Sequence, residues 1–375
     1  MRILLTFTLF TFVFSTCQPV EKRQHTDSYA EAEQIPLRYA KRFQVQKYQQ
    51  AYLLEVNQAS DTFRYVLASA QEEIPDTWKN FTRISTPLQS VVCTSTSHLP
   101  ALEYLGVAHT LVGFPQSVFI CSPLIRQRID SGKVQELGQR EGINLEKLTL
   151  LQPEVLIGFS MGNESNTLKK IEDLGIPVIR NADFLEDSPL ARAEWIKFFG
   201  LLYGKSEEAD SIFQVIDSTY QSLLSLTKEI KERPTVYSGV VYGDIWYTPG
   251  GKSWAAHFFK DAGANYLWQD TDGQGSLSLS FEAVLAKAHQ ADYWVGVASF
   301  SSLQEIRETE PRYADFAAFK NQQVYSYNKR MGATGGNDYL ETGYLRPDWI
   351  LADLIYIFHP ELLPAHQSYF YQELR

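Results

Sequence analysis

The chain is short of the residues that carry most metal and nucleophile chemistry. Three cysteines and seven histidines are spread over 375 residues. They show no C-x-x-C and no H-x-x-x-H spacing, so no metal site is indicated. No G-x-G-x-x-G and no Walker A sequence occurs, which removes the usual signals for nucleotide phosphates. Paired carboxylates at a readable acid/base spacing are absent as well. No block of like charge and no low-complexity tract appears, and the formal net charge is −10 with a pI near 5.3. Nucleic acid and anionic membrane surfaces are therefore excluded as electrostatic partners.

What is present begins with a leader. Arg2 precedes an apolar run from Ile3 to Phe14, and small residues then lead to Cys17. The run is too short to span a bilayer and has the size of a signal-peptide core. Its end resembles a bacterial lipobox, with Cys17 as the lipidated residue, although Phe14 and Thr16 depart from the usual Leu and Gly or Ala. Ordinary cleavage without lipid is the alternative. Cys93 and Cys121 then remain, either as a disulfide or as free buried thiols.

After a polar tether, "QAYLLEV" and "FRYVLAS" flank "NQASDT" and predict a hairpin. From "QSVVCTSTSHLPALEYLGV" onward, short apolar strands alternate with helices, the pattern of an α/β lobe with parallel strands. Ser206 as N-cap, with Ile212, Val215, Ile216 and Leu223 on one face, opens a long helix that ends before Pro234. Such a helix of about 26 residues is roughly 39 Å long and bridges two lobes. The halves also echo each other. "INLEKLTLLQPEVLIG" parallels "LSFEAVLAKAHQADYWVG", and "SHLPALEYLG" parallels "SWAAHFFKDAG".

One enzyme signal needs weighing. "GFSMG", Gly158 to Gly162, fits the nucleophile elbow of serine hydrolases, with Ser160 as nucleophile and His257, His289 or His359 available downstream. No HGGG-type oxyanion segment precedes it. Glycine and serine are also common in any strand-to-helix turn beside a pocket, so no catalytic residue is assigned.

The leader, "VVCTSTSHLPALEYLGV", "GINLEKLTLLQPEVLIGFS", the bridging helix, "YTPGGKSWAAHFFKDAGANYLW", "SLSFEAVLAKAHQADYWVGV" and "GGNDYLETGYLRPDWILADLIYIFHPELLP" together resemble the periplasmic substrate-binding proteins of ABC importers for ferric siderophores, haem and cobalamin. The similarity runs from about Thr82 to Pro364 and is nearest to the lipoprotein branch of Bacteroidetes-type bacteria. It implies an α/β class III fold: two lobes with parallel-type sheets, joined by one long rigid helix, that move little on closing. It divides the chain into a leader (1–17), a tether (18–34), an N-terminal lobe (35–187), a helical segment (188–233) and a C-terminal lobe (234–375). It further implies a non-catalytic, monomeric protein of the periplasm, lipid-anchored to a membrane. Such a protein needs no cofactor of its own and delivers a cargo containing iron or cobalt to a permease. Glu146 and Glu282 match the glutamates that dock arginines of that permease.

Ligands in open α/β sheets settle beyond the carboxyl ends of the strands. That rule selects Ser95, Thr96, Ser97 and His98 in "CTSTSH", Phe114 in "LVGFP", and Phe159 with Ser160 in "GFS". It also selects Tyr242, Trp246, Tyr247 and Trp254 in a segment whose Gly243, Pro249, Gly250 and Gly251 mark it as a loop, and "YNKRMGATGGNDY" with Lys329 and Arg330. His98 is a loop cap or an axial metal ligand. Arg330 either pairs with Asp338 or anchors an anionic edge of the cargo. Walls rich in aromatics with sparse basic groups favour a macrocycle, cobalamin or haem, over an anionic ferric siderophore.

Overall fold

Alternation of buried and exposed residues builds the first sheet. The computed structural model describes residues 32–58, 60–138, 142–158 and 164–375, with backbone alone at 164 and 165. Cys17 lies outside them. Strands β1 (Glu33–Ile35), β2 (Phe43–Tyr48), β3 (Ala51–Gln58), β4 (Asp61–Leu67) and β5 (Thr82–Ile84) form one sheet in that order, with the β3–β4 hairpin closing at Gln58 and Asp61. Successive side chains face opposite ways along a strand. Phe43, Val45, Leu54, Val56, Tyr65 and Leu67 therefore enter the main core, while Ala51, Leu53 and Val66 cover Trp78 on the other face.

Two parallel sheets follow. In the first, β6 (Val91–Cys93), β7 (Leu111–Phe114), β8 (Gln135–Glu136), β9 (Val155–Gly158) and β10 (Val178–Arg180) run in the order β10-β9-β6-β7-β8. Runs such as "VVC" and "VLIG" are wholly buried, as strands covered on both faces must be. Helices α1 (Leu99–Tyr104), α2 (Pro123–Asp130), α3 (Leu145–Leu151) and α4 (Glu164–Asp173) connect them. In the second, β11 (Thr235–Tyr237), β14 (Asn265–Tyr266), β16 (Tyr293–Val295) and β17 (Val324–Ser326) are parallel, and β18 (Gln372–Glu373) adds an antiparallel edge. Helices α8 (Trp254–Asp261), α9 (Phe281–Ala288), α10 (Leu303–Thr309), α11 (Ala317–Lys320), α12 (Asp338–Glu341) and α13 (Pro347–Phe358) accompany it.

The aromatic segment around Trp246 is a strand pair, which corrects its reading as a loop. β12 (Val240–Tyr242) and β13 (Ile245–Pro249) form a hairpin joined to β15 (Ser276–Leu279). Gly243 and Asp244 form the turn, with Gly243 at φ +63°, the two-residue geometry that takes glycine first. β-branched and aromatic residues on both sides of that turn favour strands over a coil.

Between the parallel sheets come α5 (Pro189–Ala193), α6 (Ile196–Leu202) and α7 (Ser206–Thr227). The long helix is real but shorter than expected, 22 residues or about 33 Å. Lys205, not Ser206, holds the cap position, so Glu207 and Glu208 in the first turn are what complement the N-terminal dipole. The far end is fixed by Thr227, whose hydroxyl donates to Leu224 O at 3.0 Å and Asp261 O at 2.7 Å. Its buried face is Ala209, Phe213, Ile216 and Tyr220, whereas Val215 is exposed.

Buried carboxylates tie the entry segment to these helices. Glu194, fully buried, accepts from the N–H groups of Arg38 (2.9 Å), Tyr39 (2.7 Å) and Ala40 (2.9 Å). Glu186 accepts from Lys41 N (2.9 Å), Arg42 N (2.8 Å) and the Trp195 indole (3.2 Å). On α7, Asp217 accepts from Arg38 and from Tyr39 Oη. Glu194→Ala leaves three main-chain donors without their buried acceptor, so the urea unfolding free energy should drop by about 3 kcal/mol. Glu194→Gln, which keeps one acceptor oxygen, should lose about half of that; equal losses would mean the charge, not the acceptor, matters.

Candidate functional site

A cleft of about 730 Å³ opens beyond the carboxyl ends of both parallel sheets. One wall comes from the loops after β6 and β7, giving Thr94, Ser95, Thr96, Phe114, Pro115, Gln116 and Phe119, with Gly142 and Ile143 before α3 and Thr167 and Leu168 on α4. The other wall comes from Ala298 and Ser299 after β16 and from Tyr327, Met331, Gly335, Asn337 and Leu340 after β17. None of these lining residues is charged, and no histidine is among them.

The walls are held by main-chain geometry more than by side-chain packing. Gln116 and Ala298 sit at φ +54° and +52°, a region that non-glycine residues visit rarely and that marks constrained loops. Glu136 fixes the first of these, accepting from Gln116 N (3.0 Å), Ser117 N (2.8 Å) and Gly138 N (2.9 Å).

At the base of the cleft the segment 330–341 packs backbone to backbone on residues 118–122. Thr334 Oγ1 donates to Val118 O at 2.6 Å. Gly336 lies so close that a Cβ there would meet Phe119 O at 2.0 Å. Glu341, 1% exposed, accepts from Cys121 N (2.7 Å) and Ser122 N (2.8 Å). Burial pushes the Glu341 carboxyl up to about 7, with Asp338 and Glu103 adding like-charge repulsion against the two N–H donors.

Of the residues expected in the pocket, Ser95, Thr96 and Phe114 line it. Ser97 stands behind, its hydroxyl 2.8 Å from that of Ser95. Phe159 and Ser160, with the rest of "FSMGN", lie outside the described residues. The others are elsewhere. His98 is completely buried beside Phe199, its ring nitrogens have no partner, and burial pulls its pKa down to about 3. Its side chain makes no cap hydrogen bond and does not border the cleft. Trp246 is also completely buried, among Tyr237, Phe281, Trp294, Tyr313 and Phe316, with its indole N–H donating to Ser238 O at 3.0 Å. In β13 alternate residues point inward; Trp246 therefore goes to the core, and Ile245 and Tyr247 go outside. Tyr242 is 82% and Tyr247 40% exposed on the hairpin, and neither borders the cleft. Trp254 is 9% exposed, against Phe258 and Tyr344 and under the Arg192 guanidinium. Arg330 pairs with Asp338 at 2.9 Å and stacks over Tyr369. It faces a second hollow behind the cleft base.

The residues that sequence reasoning missed are mostly apolar or amide, Gln116, Phe119, Ile143, Leu168, Tyr327, Met331, Asn337 and Leu340, with the hydroxyls of Thr167 and Ser299. "YNKRMGATGGNDY" contains Tyr327, Met331, Gly335 and Asn337, but its cations drew the eye. Phe119 carried no signal, because a single Phe after a strand reads as core. Cys93 and Cys121 are both free thiols. Among the described residues no group of three His, Cys, Asp or Glu side chains could hold a metal ion.

Glu146 and Glu282 occupy matching positions. Each is the second residue of a helix, α3 or α9, whose cap accepts from the third: Asn144 Oδ1 from Lys147 N (2.9 Å) and Ser280 Oγ from Ala283 N (3.2 Å). Both are exposed. Glu146 lies three residues beyond the cleft-lining Ile143.

The comparisons with known proteins agree with this geometry. A family model described as periplasmic binding protein matches residues 91–331. An uncharacterised lipoprotein of Methanocaldococcus jannaschii is 26% identical over 311 residues, 80% of this chain and 72% of its own length. Among solved structures, a periplasmic haem-binding protein from Roseiflexus sp. RS-1 superposes with a TM-score of 0.59 at 19% identity, covering 73% of this chain and 99% of that one. A periplasmic vitamin B12-binding protein from Vibrio cholerae gives 0.52 at 16% identity, with 72% and 96% covered. Both share this fold.

A pH dependence follows from the cleft base. Glu341 has an ordinary pKa near 4.5 when unfolded and about 7 when folded, so the stability it contributes is complete below pH 4.5 and is lost as the pH rises to 7. Asp183, 8% exposed and pushed up to about 6 by burial, adds to the same trend at the lower end. Urea midpoints measured from pH 5 to pH 8 should fall by the equivalent of about 4 kcal/mol. Glu341→Gln should flatten the curve between pH 6 and 7 while leaving the Asp183 portion; an unchanged slope would remove Glu341 as its source.

Proposed function

Because the chain belongs to the periplasmic binding protein family, we propose that it captures a metal-bearing macrocycle or chelate with apolar faces and a neutral polar edge, and hands it to the permease of an ABC importer. In this reading residues 35–187 and 234–375 are the two lobes, 188–233 joins them, and the cargo sits in the cleft between the sheets. The protein works as a monomer, without a cofactor and without catalysis. It is anchored on the periplasmic side by lipid on Cys17. Among the described residues no helix is long and apolar enough to cross a membrane.

The observation that carries the cargo class is the neutrality of the lining among the described residues. Phe114, Phe119, Leu168 and Leu340 offer apolar walls, and Ser95, Thr96, Gln116 and Asn337 offer hydroxyl and amide groups. That set matches a corrinoid, whose ring has apolar faces and a fringe of amides. Haem brings two carboxylates and needs an axial ligand. The described lining provides no cation for the first, and its single tyrosine, Tyr327, is held above the ordinary phenol pKa by burial. Solved relatives of the fold include binders of both haem and vitamin B12, so the fold alone leaves the choice open, and the described lining supports the corrinoid. Nothing supports a serine hydrolase at Ser160: among the described residues His257 is bonded to Ser253 O and His359 to Gly263 O, and none of His257, His289 and His359 borders the cleft.

Calorimetric titration of the purified chain against cyanocobalamin, haemin and ferric tricatecholates checks the cargo. Cyanocobalamin should bind tightest, and Phe114→Ala or Phe119→Ala should weaken it about 10-fold or more, some 1.4 kcal/mol. Tighter binding of haemin or of the anionic chelate would overturn the corrinoid reading. Docking has its own test. Glu146→Ala combined with Glu282→Ala should leave calorimetric affinity unchanged and slow cellular uptake at least about 10-fold, since charges at an interface rim set encounter and register. Wild-type uptake by the double variant would remove the docking role.

A further inference from the structure

Resting on the docking reading above, we propose that the two glutamates are unequal: Glu146 stands open to the permease, whereas Glu282 is guarded by Arg312, so the first half of the protein engages before the second.

The first half presents its charge free. Among the described residues Glu146 has no ion-pair partner. Leu150, four residues on and therefore on the same helix face, is 79% exposed. An exposed leucine beside an exposed carboxylate is the mixture found where an apolar contact is ringed by charge.

In the second half the same position is occupied. Arg312 Nη1 lies 3.2 Å from Glu282 Oε1. The other edge of the guanidinium is gripped by Glu310, through Nε at 2.9 Å and Nη2 at 2.8 Å, and its plane lies 4.1 Å over the Phe281 ring. The neighbouring backbone is fixed too, since Tyr313 is buried and its hydroxyl accepts from Val241 N at 2.8 Å. A planar cation held on two other sides is preorganised for its third contact. Arg312 thus fills the place opposite Glu282 that a permease cation has to take. Both side chains are well exposed, 51% and 75%. An exposed pair of this kind is weak, so the guard delays the second contact without preventing it.

Biolayer interferometry of the full chain on the permease–ATPase complex of its own importer, held in lipid nanodiscs at low ionic strength, tests the inequality. In the wild-type background Glu146→Ala should slow association about 5-fold and Glu282→Ala less than about 2-fold. Arg312→Gln should speed association about 2-fold or more, and in that background Glu282→Ala should slow it as much as Glu146→Ala does. Arg307→Gln removes the same charge from α10, where Arg307 packs over Phe319, and should leave the two glutamates unequal. Equal effects of the glutamates in wild type, or identical behaviour of the Arg312 and Arg307 variants, would overturn the guard while keeping the docking surface. If neither glutamate affects association, the docking reading itself fails, and the guard with it.

Discussion

A main-chain N–H that leaves regular structure and is buried must still find an acceptor, and this chain meets that demand with buried carboxylates. Glu194 takes three consecutive N–H groups at the entry to the fold, and Glu186 takes the next two. Glu136 shapes the cleft loop at Gln116, and Glu341 closes the cleft base. Asp353 receives Tyr369, Phe370 and Tyr371 near the other end of the chain. Charge-assisted bonds are shorter and stronger than neutral ones, and several donors on one carboxylate offset its desolvation. Removing the clamps would leave short strands intact and release the loops that make the cleft.

The same device joins the two walls at the base of the cleft. Where 330–341 meets 118–122, Gly336 and Gly332 bring backbone against backbone, and no long side chain lies between to yield. Packed interfaces of this kind do not deform continuously. Relative motion of the two sheets must then be small or must break the Glu341 contacts outright. That site is also the one whose acid is held near neutral pH by burial, so the contact most resistant to bending is the one most responsive to protons.

The sequence was legible where period and position speak for themselves. "VVC", "LVGF", "VLIG" and "YWV" are short apolar runs before polar turns, and they are parallel strands in the structure. Glu146 and Glu282 could be matched because both halves repeat a Glu early in a helix followed by apolar strand residues and a glycine. The hairpin at Val240–Pro249 was misread because its glycines were counted and its β-formers were not. Trp246 and His98 were misplaced for a different reason: sequence shows which loop holds a residue, but one step along a strand or turn reverses the side it faces. For Arg330 the sequence left two roles open, and the structure shows the pair with Asp338.

Selectivity in such a cleft comes from what the lining lacks as much as from what it offers. A hydroxyl or amide left without a partner in a closed cleft costs more than the same group costs in water, so Ser95, Gln116 and Asn337 set polar demands on whatever occupies the cleft. No described lining residue carries a charge that would compensate the desolvation of a carboxylate there. The acids and bases of this region are spent elsewhere: Arg330 on Asp338, Glu136 and Glu341 on main chain, Arg312 on Glu310 and Glu282. In a chain of net charge −10 the described lining of the cleft is uncharged. Charge sits at the clamps, where it orders the backbone, and on exposed faces, and the described cleft is left to hydroxyl, amide and apolar groups.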